Sequence, residues 1–291
     1  MKRRKLHPKI LAYINLIKPG VIGLVIFTTL VAAIIAPTNL GIAKDFAVIV
    51  SISIAAAGSA ALNMWYDRDI DALMQRTSKR STVKGSISSY EALRFGLLAS
   101  TIAIALMFYT TNIYAASLLA FTSFFYAVIY TIFLKRSTIQ NIVIGGAAGA
   151  LPPVVAWFAL TQGFGVTPWL LFLIIFLWTP PHFWALSIHY HKDYKNCNVP
   201  MMVNVKGLQY TKVNILIYSI LLFCISLLPY FLGIFGILYF IAAILLGGRF
   251  LFHALKIFTN NSHAIKLFLF SIFYLFALFT AILLDHVNKL L

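Results

Sequence analysis

The sequence predicts an all-α integral membrane protein, a bundle of about nine transmembrane helices, and three observations carry that prediction. Hydrophobic residues fill 61% of the 291 positions and charged residues 10%, with mean hydropathy +0.91, whereas an ordinary soluble domain is about 25% charged. The apolar residues come in runs long enough for the hydrocarbon core, which takes about 20 helical residues to cross. Lys and Arg gather in alternate connections between those runs, the pattern that orients helices in a bilayer.

The elements follow in order. A basic segment, 1–19, opens Met1-Lys2-Arg3-Arg4-Lys5. It lacks a small-residue cleavage site after the first apolar run, so no cleavable signal peptide is expected. Spans are then expected at 20–37, 46–66, 92–110, 113–134, 139–160, 168–188, 212–231, 233–249 and 264–284, as one helical-bundle domain over 20–284, with a short tail at 285–291. Gly233, Gly236, Gly247 and Gly248 blur the ends of the eighth. With the N-terminus on the cytoplasmic side, 21 of the 23 Lys and Arg residues fall in cytoplasmic segments; only Lys44 and Lys289 fall outside. The two longest loops, 67–91 and 189–211, are then both cytoplasmic, and long loops are where function concentrates. The net charge of +16 follows this alternation, so it reflects membrane orientation and not a nucleic-acid partner.

The chain has only 7 Asp and Glu residues, and three of them lie between Asn63 and Asp71. Asn63, Asp67 and Asp71 are spaced i, i+4, i+8 and share one helical face. An amide and two carboxylates suit Mg²⁺, which is commonly held by one or two carboxylates together with a substrate's phosphates. Asp69 points elsewhere and is expected to be solvated or ion-paired. Arg76, Arg80 and Lys84 follow within the same loop. Together these are the groups that neutralise charge developing on a departing diphosphate. The competing explanation is that the cations only orient the chain and the acids only balance them.

The second loop carries Lys192 and Asp193, a weaker acid–base pair. Trp178-Thr179-Pro180-Pro181-His182-Phe183-Trp184 places a Pro pair and an ionisable ring inside a span. Intramembrane His is a functional candidate, able to ligate or orient a metalloporphyrin, with packing against Trp178 and Trp184 as the alternative. The small-residue stretches 55–61 and 145–150 are explained by close helix approach. Cys197 and Cys224 fit neither a disulfide framework nor a zinc site.

The Asn63-x-x-x-Asp67-x-x-x-Asp71 motif resembles that of the UbiA-type intramembrane prenyltransferases. Further stretches resemble the branch of that family that farnesylates haem: Met74-Gln75-Arg76-Thr77, Tyr130-Thr131 with Leu134-Lys135-Arg136, 141–153, Trp178 to Leu186, and Asp193-Tyr194 with Val199-Pro200-Met201. The resemblance implies a nine-span bundle in the bacterial inner membrane that moves a farnesyl group from farnesyl diphosphate to a vinyl group of haem b. It implies Mg²⁺ on Asn63, Asp67 and Asp71. It places Arg76, Arg80, Lys84, Lys135, Arg136, Lys192 and Asp193 at the diphosphate, and His182 at the haem. A haem A synthase or terminal oxidase would be a downstream partner, which the sequence itself does not specify. The chain departs from the family at Ser81-Thr82-Val83-Lys84-Gly85-Ser86, where Pro-Leu-Pro-Ser-Gly-Arg is usual, so Lys84 is left to replace the absent arginine. Ala156 and Asn204 replace a usual Gly and Pro.

Two other functions are weighed against this one. Prenylation of an aromatic or quinone precursor predicts a second Asp pair in 189–211, where only Asp193 occurs. A haem or ion transporter predicts charges or broken helices at mid-membrane in both halves, whereas the acids here cluster at one surface.

Overall fold

The computed structural model describes residues 8–37 and 40–290, so Lys2, Arg3, Arg4 and Lys5 lie outside the described residues. Helices α1 (Pro8–Leu16) and α2 (Pro19–Ile35) are bent 56° apart. The bend falls at Lys18, which is left-handed (φ 53°), and Pro19 begins α2, where its fixed φ and missing N–H cost nothing. Helix α3 (Ile42–Tyr66) runs into a short α4 (Arg68–Leu73) across Asp67. Helix α5 (Ser89–Thr110) starts on a capping box, with Ser88 Oγ accepting from Glu91 N at 3.1 Å and Glu91 Oε2 accepting from Ser88 N at 2.8 Å. Asn112 caps α6 (Ile113–Phe124), which continues as a π-helical segment, Phe125–Leu134.

Helices α7 (Asn141–Ala150) and α8 (Pro152–Thr161) form one span jointed at Leu151, and α9 (Val166–His189) follows. The Pro180-Pro181 pair does not end the helix. Two N–H donors are missing from the ladder, yet α9 stays helical throughout, because both residues are buried inside the bundle. Two short helices, α10 (His191–Asn196) and α11 (Met202–Val205), fill the second loop before α12 (Leu208–Phe231), α13 (Ile237–Thr259) and α14 (His263–Leu290).

Among the described residues, eight helices or jointed pairs are long and apolar enough to cross a membrane, and α1 with α2 adds a ninth as a bent pair. The protein is a multi-pass integral membrane protein of about the expected span count. The eighth span is corrected: it is α13, Ile237–Thr259, and not 233–249. Gly233 (φ 69°) makes the turn before it, and Asp285 of α14 caps its start by accepting from Gly236 N at 2.6 Å. Gly247 does not end the helix. It gives room to Phe223 of α12, whose ring carbon would lie 2.3 Å from an added Cβ. Arg249 consequently sits within the span, exposed, with its guanidinium over Phe252 at 5.0 Å. The ninth span is also longer than 264–284, since α14 continues through the expected tail to Leu290.

In lipid, helix association depends on close packing and interhelical hydrogen bonds. Helices α3 and α5 meet at Gly58 and Gly96, where a Cβ on Gly58 would lie 2.9 Å from the Gly96 carbonyl oxygen. Tyr239 OH donates to Ser226 O and Tyr274 OH bonds Ser226 Oγ, both at 2.7 Å, tying α12, α13 and α14 together. Such bonds average about 0.6 kcal/mol each in a bilayer. The α7–α8 span and α9 are the most buried elements. The first and second loops emerge at the same end of the bundle, where Arg76 N donates to Asp193 Oδ2 at 3.5 Å and Cys197 Sγ to Ile70 O at 3.4 Å.

Candidate active site

Asn63 lies in the last turn of α3, Asp67 is the joint and Asp71 lies in α4. Asp67 N donates to Asn63 O at 2.9 Å and Asp71 N to Asp67 O at 2.8 Å, so the i to i+4 spacing survives the joint and the three side chains share one face. All are buried: 3%, 0% and 2% exposed. Asn63 Nδ2 donates to Asp67 Oδ2 (2.9 Å) and to Thr131 Oγ1 (3.0 Å). Thr131 is itself oriented by donating to Tyr126 O at 2.8 Å, a contact across five residues that the π-helical winding allows. π-Helical turns are frequent at functional sites.

Cations surround the three oxygen-bearing groups. Lys18 Nζ donates to Asn63 Oδ1 at 2.5 Å, Lys135 Nζ pairs with Asp67 Oδ2, and Arg80 Nη1 pairs with Asp71 Oδ2 at 2.5 Å. Arg136 Nη2 lies 3.6 Å from Asp67 Oδ1, and that buried oxygen accepts no hydrogen bond. Arg136 is mainly engaged by Asp69 through two bonds of 2.7 Å, with its guanidinium 4.7 Å from the Tyr66 ring centre. Asp69 is thus ion-paired, as expected. The Arg136 hydrogen bond holds the Asp69 carboxyl below its ordinary range. That contribution is present above the unfolded carboxylate pKa and is lost as pH falls through the lowered one. With the Asp69 side chain 60% exposed, it amounts to no more than about 1 kcal/mol.

The expected residues do not all converge. Arg80, Lys135 and Arg136 reach the acidic face. Arg76 and Asp193 meet at its rim, where Arg76 Nη2 also approaches Tyr194 OH at 3.5 Å. Lys84 and Lys192 are exposed and form no ion pair with the face among the described residues. His182 lies elsewhere, in the α9–α14 contact: Nδ1 is 2.6 Å from Ser271 Oγ, and the ring stacks on Trp178 (4.2 Å) and beside Phe268 (4.6 Å). Trp178 Nε1 donates to Ser271 O at 2.7 Å, so the same serine anchors both rings. Lys18, Thr131, Tyr194 and Ser271 are the contacts that sequence reasoning missed. Lys18 did carry one signal, a cation directly before a helix-starting proline.

Beside the acidic face, past Lys18, a cavity of about 110 Å³ descends between α2, α3, α6 and the α7–α8 span. Lys18, Ser59 and Tyr126 line its upper end, and the walls below are apolar except for Thr122 and Ser123. Polar head and apolar tail therefore match an amphiphile whose charged end sits at Asn63, Asp67 and Asp71.

No group of three His, Cys, Asp or Glu side chains stands ready for a metal among the described residues. The donors are two carboxylates and an amide, which leaves ligand positions for water and substrate oxygens, as Mg²⁺ requires. Asp67 Oδ1 accepts no hydrogen bond, and Lys18, Lys135, Arg80 and Arg136 are already drawn to these oxygens, so this face attracts positive charge. The residues fit Mg²⁺. Lys18, Arg80, Lys135 and Arg136 outnumber Asp67, Asp69 and Asp71, so a metal ion entering here needs an anion with it.

An intramembrane helical bundle with this face above an apolar cavity defines a class, and the match to the UbiA prenyltransferase family over residues 25–283 makes the chain a member of it. Among its relatives, the protoheme IX farnesyltransferase of Rickettsia bellii is 49% identical over 276 residues, covering 94% of this chain and 91% of the relative. That of Rickettsia massiliae is 51% identical over 270 residues, covering 92% and 88%. Two solved structures share the fold. One, from work on digeranylgeranylglyceryl phosphate synthase, has TM-score 0.79 at 20% identity and covers 97% of this chain and 100% of its own. A UbiA homolog from Archaeoglobus fulgidus bound to DMAPP and Mg²⁺ has TM-score 0.69 at 15% identity, covering 93% and 98%.

Proposed function

We propose that this chain transfers the farnesyl group of farnesyl diphosphate to a vinyl group of haem b. The C1–oxygen bond to diphosphate breaks, C1 bonds to the vinyl carbon, and water adds its hydroxyl to the adjacent carbon with loss of a proton. The products are haem O and diphosphate. The observation that carries the reading is the buried Asn63–Asp67–Asp71 face, ringed by cations and opening onto an apolar cavity. The identity to farnesyltransferases over nearly the whole chain supplies the acceptor.

Asn63, Asp67 and Asp71 would hold Mg²⁺, which supplies charge neutralisation at the leaving diphosphate. Arg80 and Lys135 exchange their carboxylate partners for phosphate oxygens, Arg as a fork and Lys as a point charge. Lys18 moves likewise from Asn63. Arg76 closes the rim with Asp193, while Lys84 and Lys192 add positive charge from the flanking loops. Arg136 contributes field from its place on Asp69. The apolar cavity holds the farnesyl chain and excludes water from C1. The Lys and Arg distribution orients this end toward the cytoplasm, in the bacterial inner membrane.

His182 serves the haem side by fixing α9 to α14, not as an iron ligand, because its ring is buried between Trp178 and Phe268 in the helix contact. Haem bound to His182→Ala is expected to keep the wild-type Soret position while turnover falls; a shifted Soret band would make His182 a ligand. The transfer itself is tested by incubating purified protein with haem b, farnesyl diphosphate and Mg²⁺ and weighing the extracted porphyrin. The added farnesyl group and hydroxyl are expected. Unchanged haem b, with the same protein prenylating an aromatic acid, would overturn the acceptor.

A further inference from the structure

Residues of α2, α3, the α6–π segment and the α7–α8 span line the cavity. On α3 the lining residues are Ile52, Ala56 and Ser59, which share a face with Asn63 at helical spacing. At 1.5 Å per residue, Ile52 lies about 16 Å below Asn63 along the axis. The last lining residues on the other helices are Val25 of α2, Leu119 of α6 and Val155 of α8. Ile52, Leu119 and Val155 belong to one buried core cluster, so the lining ends on packed side chains there. All three are branched side chains, 2%, 2% and 0% exposed. Above Ile52, α3 offers only small side chains, Ala55, Ala56, Ser59 and Ala60.

On this basis we infer that Ile52, with Leu119 and Val155, sets the length of prenyl chain the site accepts, by forming the floor against which the terminal isoprene unit stops. The inference rests on the functional reading above, because the diphosphate at Asn63 is the fixed end from which length is measured. A fifteen-carbon chain laid along α3 reaches the Ile52 level; a twenty-carbon chain meets the floor. Ala56, about one turn above Ile52, is where a larger side chain raises the floor.

The test measures binding and transfer of geranyl, farnesyl and geranylgeranyl diphosphates in competition, on purified protein with Mg²⁺. Ile52→Ala is expected to raise the preference for the twenty-carbon over the fifteen-carbon substrate by about tenfold or more, the scale at which an apolar pocket discriminates by size. Ala56→Phe is expected to move preference by a similar factor toward the ten-carbon substrate. Each variant serves if the other does not fold. Wild-type length preference in a folded variant overturns the ruler while leaving the functional reading standing. Failure of the wild-type protein to bind any of the three sinks the functional reading and the ruler with it.

Discussion

Asp67→Asn is expected to lower turnover by about 10²–10³-fold or more, the scale of losing one preorganised stabiliser of transition-state charge. The substitution keeps the shape of the side chain and an oxygen able to accept from Asn63 Nδ2, so it removes charge with little change in packing. Asp67 is wholly buried and central to the face: Asn63 and Lys135 bond one of its oxygens, and the other accepts no hydrogen bond. Neutralising it leaves Lys135 and Arg136 without their shared partner. Breaking a buried pair costs about 3–5 kcal/mol, and here the side chains of Lys135 and Arg136 are 16% and 30% exposed, so water limits the loss. Thermal unfolding in detergent separates the two effects. A variant that melts near the wild-type temperature but does not turn over fits the assignment; one that turns over normally with Mg²⁺ refutes it.

Lys135→Met carries the second large effect. Lys135 follows the π-helical segment, which brings it onto Asp67 from 68 residues away. In the reaction its charge is needed most as the C1–oxygen bond breaks, so kcat is expected to fall by about 10²-fold, with Lys135→Arg restoring part of it. Lys18→Met is expected to behave differently. Lys18 bonds the neutral Asn63 at the cavity mouth, and losing a contact made equally in ground and transition states raises KM with kcat held. Steady-state kinetics over farnesyl diphosphate distinguishes the two; identical changes in both variants would show that the lysines act as one undifferentiated positive field.

What the sequence disclosed depends on how local each signal is. The acidic face was legible because acids are so scarce in this chain that three within nine residues stand out, and because i, i+4, i+8 spacing survives the joint at Asp67. The span count and the shared end of the two loops followed from hydropathy and charge alternation. The limits of α13 were not legible, since its start is fixed by Asp285, 49 residues away, and Gly247 is a packing site for Phe223 on a different helix. Lys18 looked like one more orienting charge because its partner Asn63 is 45 residues distant. The π-helical winding of 125–134 left no mark, as its apolar residues suit an ordinary helix equally well. His182 was singled out as an ionisable group inside a span, but its partner Ser271 lies 89 residues further on, beyond any local pattern.

The central claim, that Asn63, Asp67 and Asp71 join a divalent ion to a prenyl diphosphate, is tested most directly by pulsed EPR of Mn²⁺ in place of Mg²⁺. With farnesyl diphosphate present, the wild-type protein is expected to show Mn²⁺ coupled to ³¹P. Binding without the diphosphate is expected to be much weaker, because Lys18, Arg80 and Lys135 then hold the same oxygens. Protein-bound ³¹P-coupled Mn²⁺ of undiminished affinity in the Asp67→Asn, Asp71→Asn double variant would contradict the account.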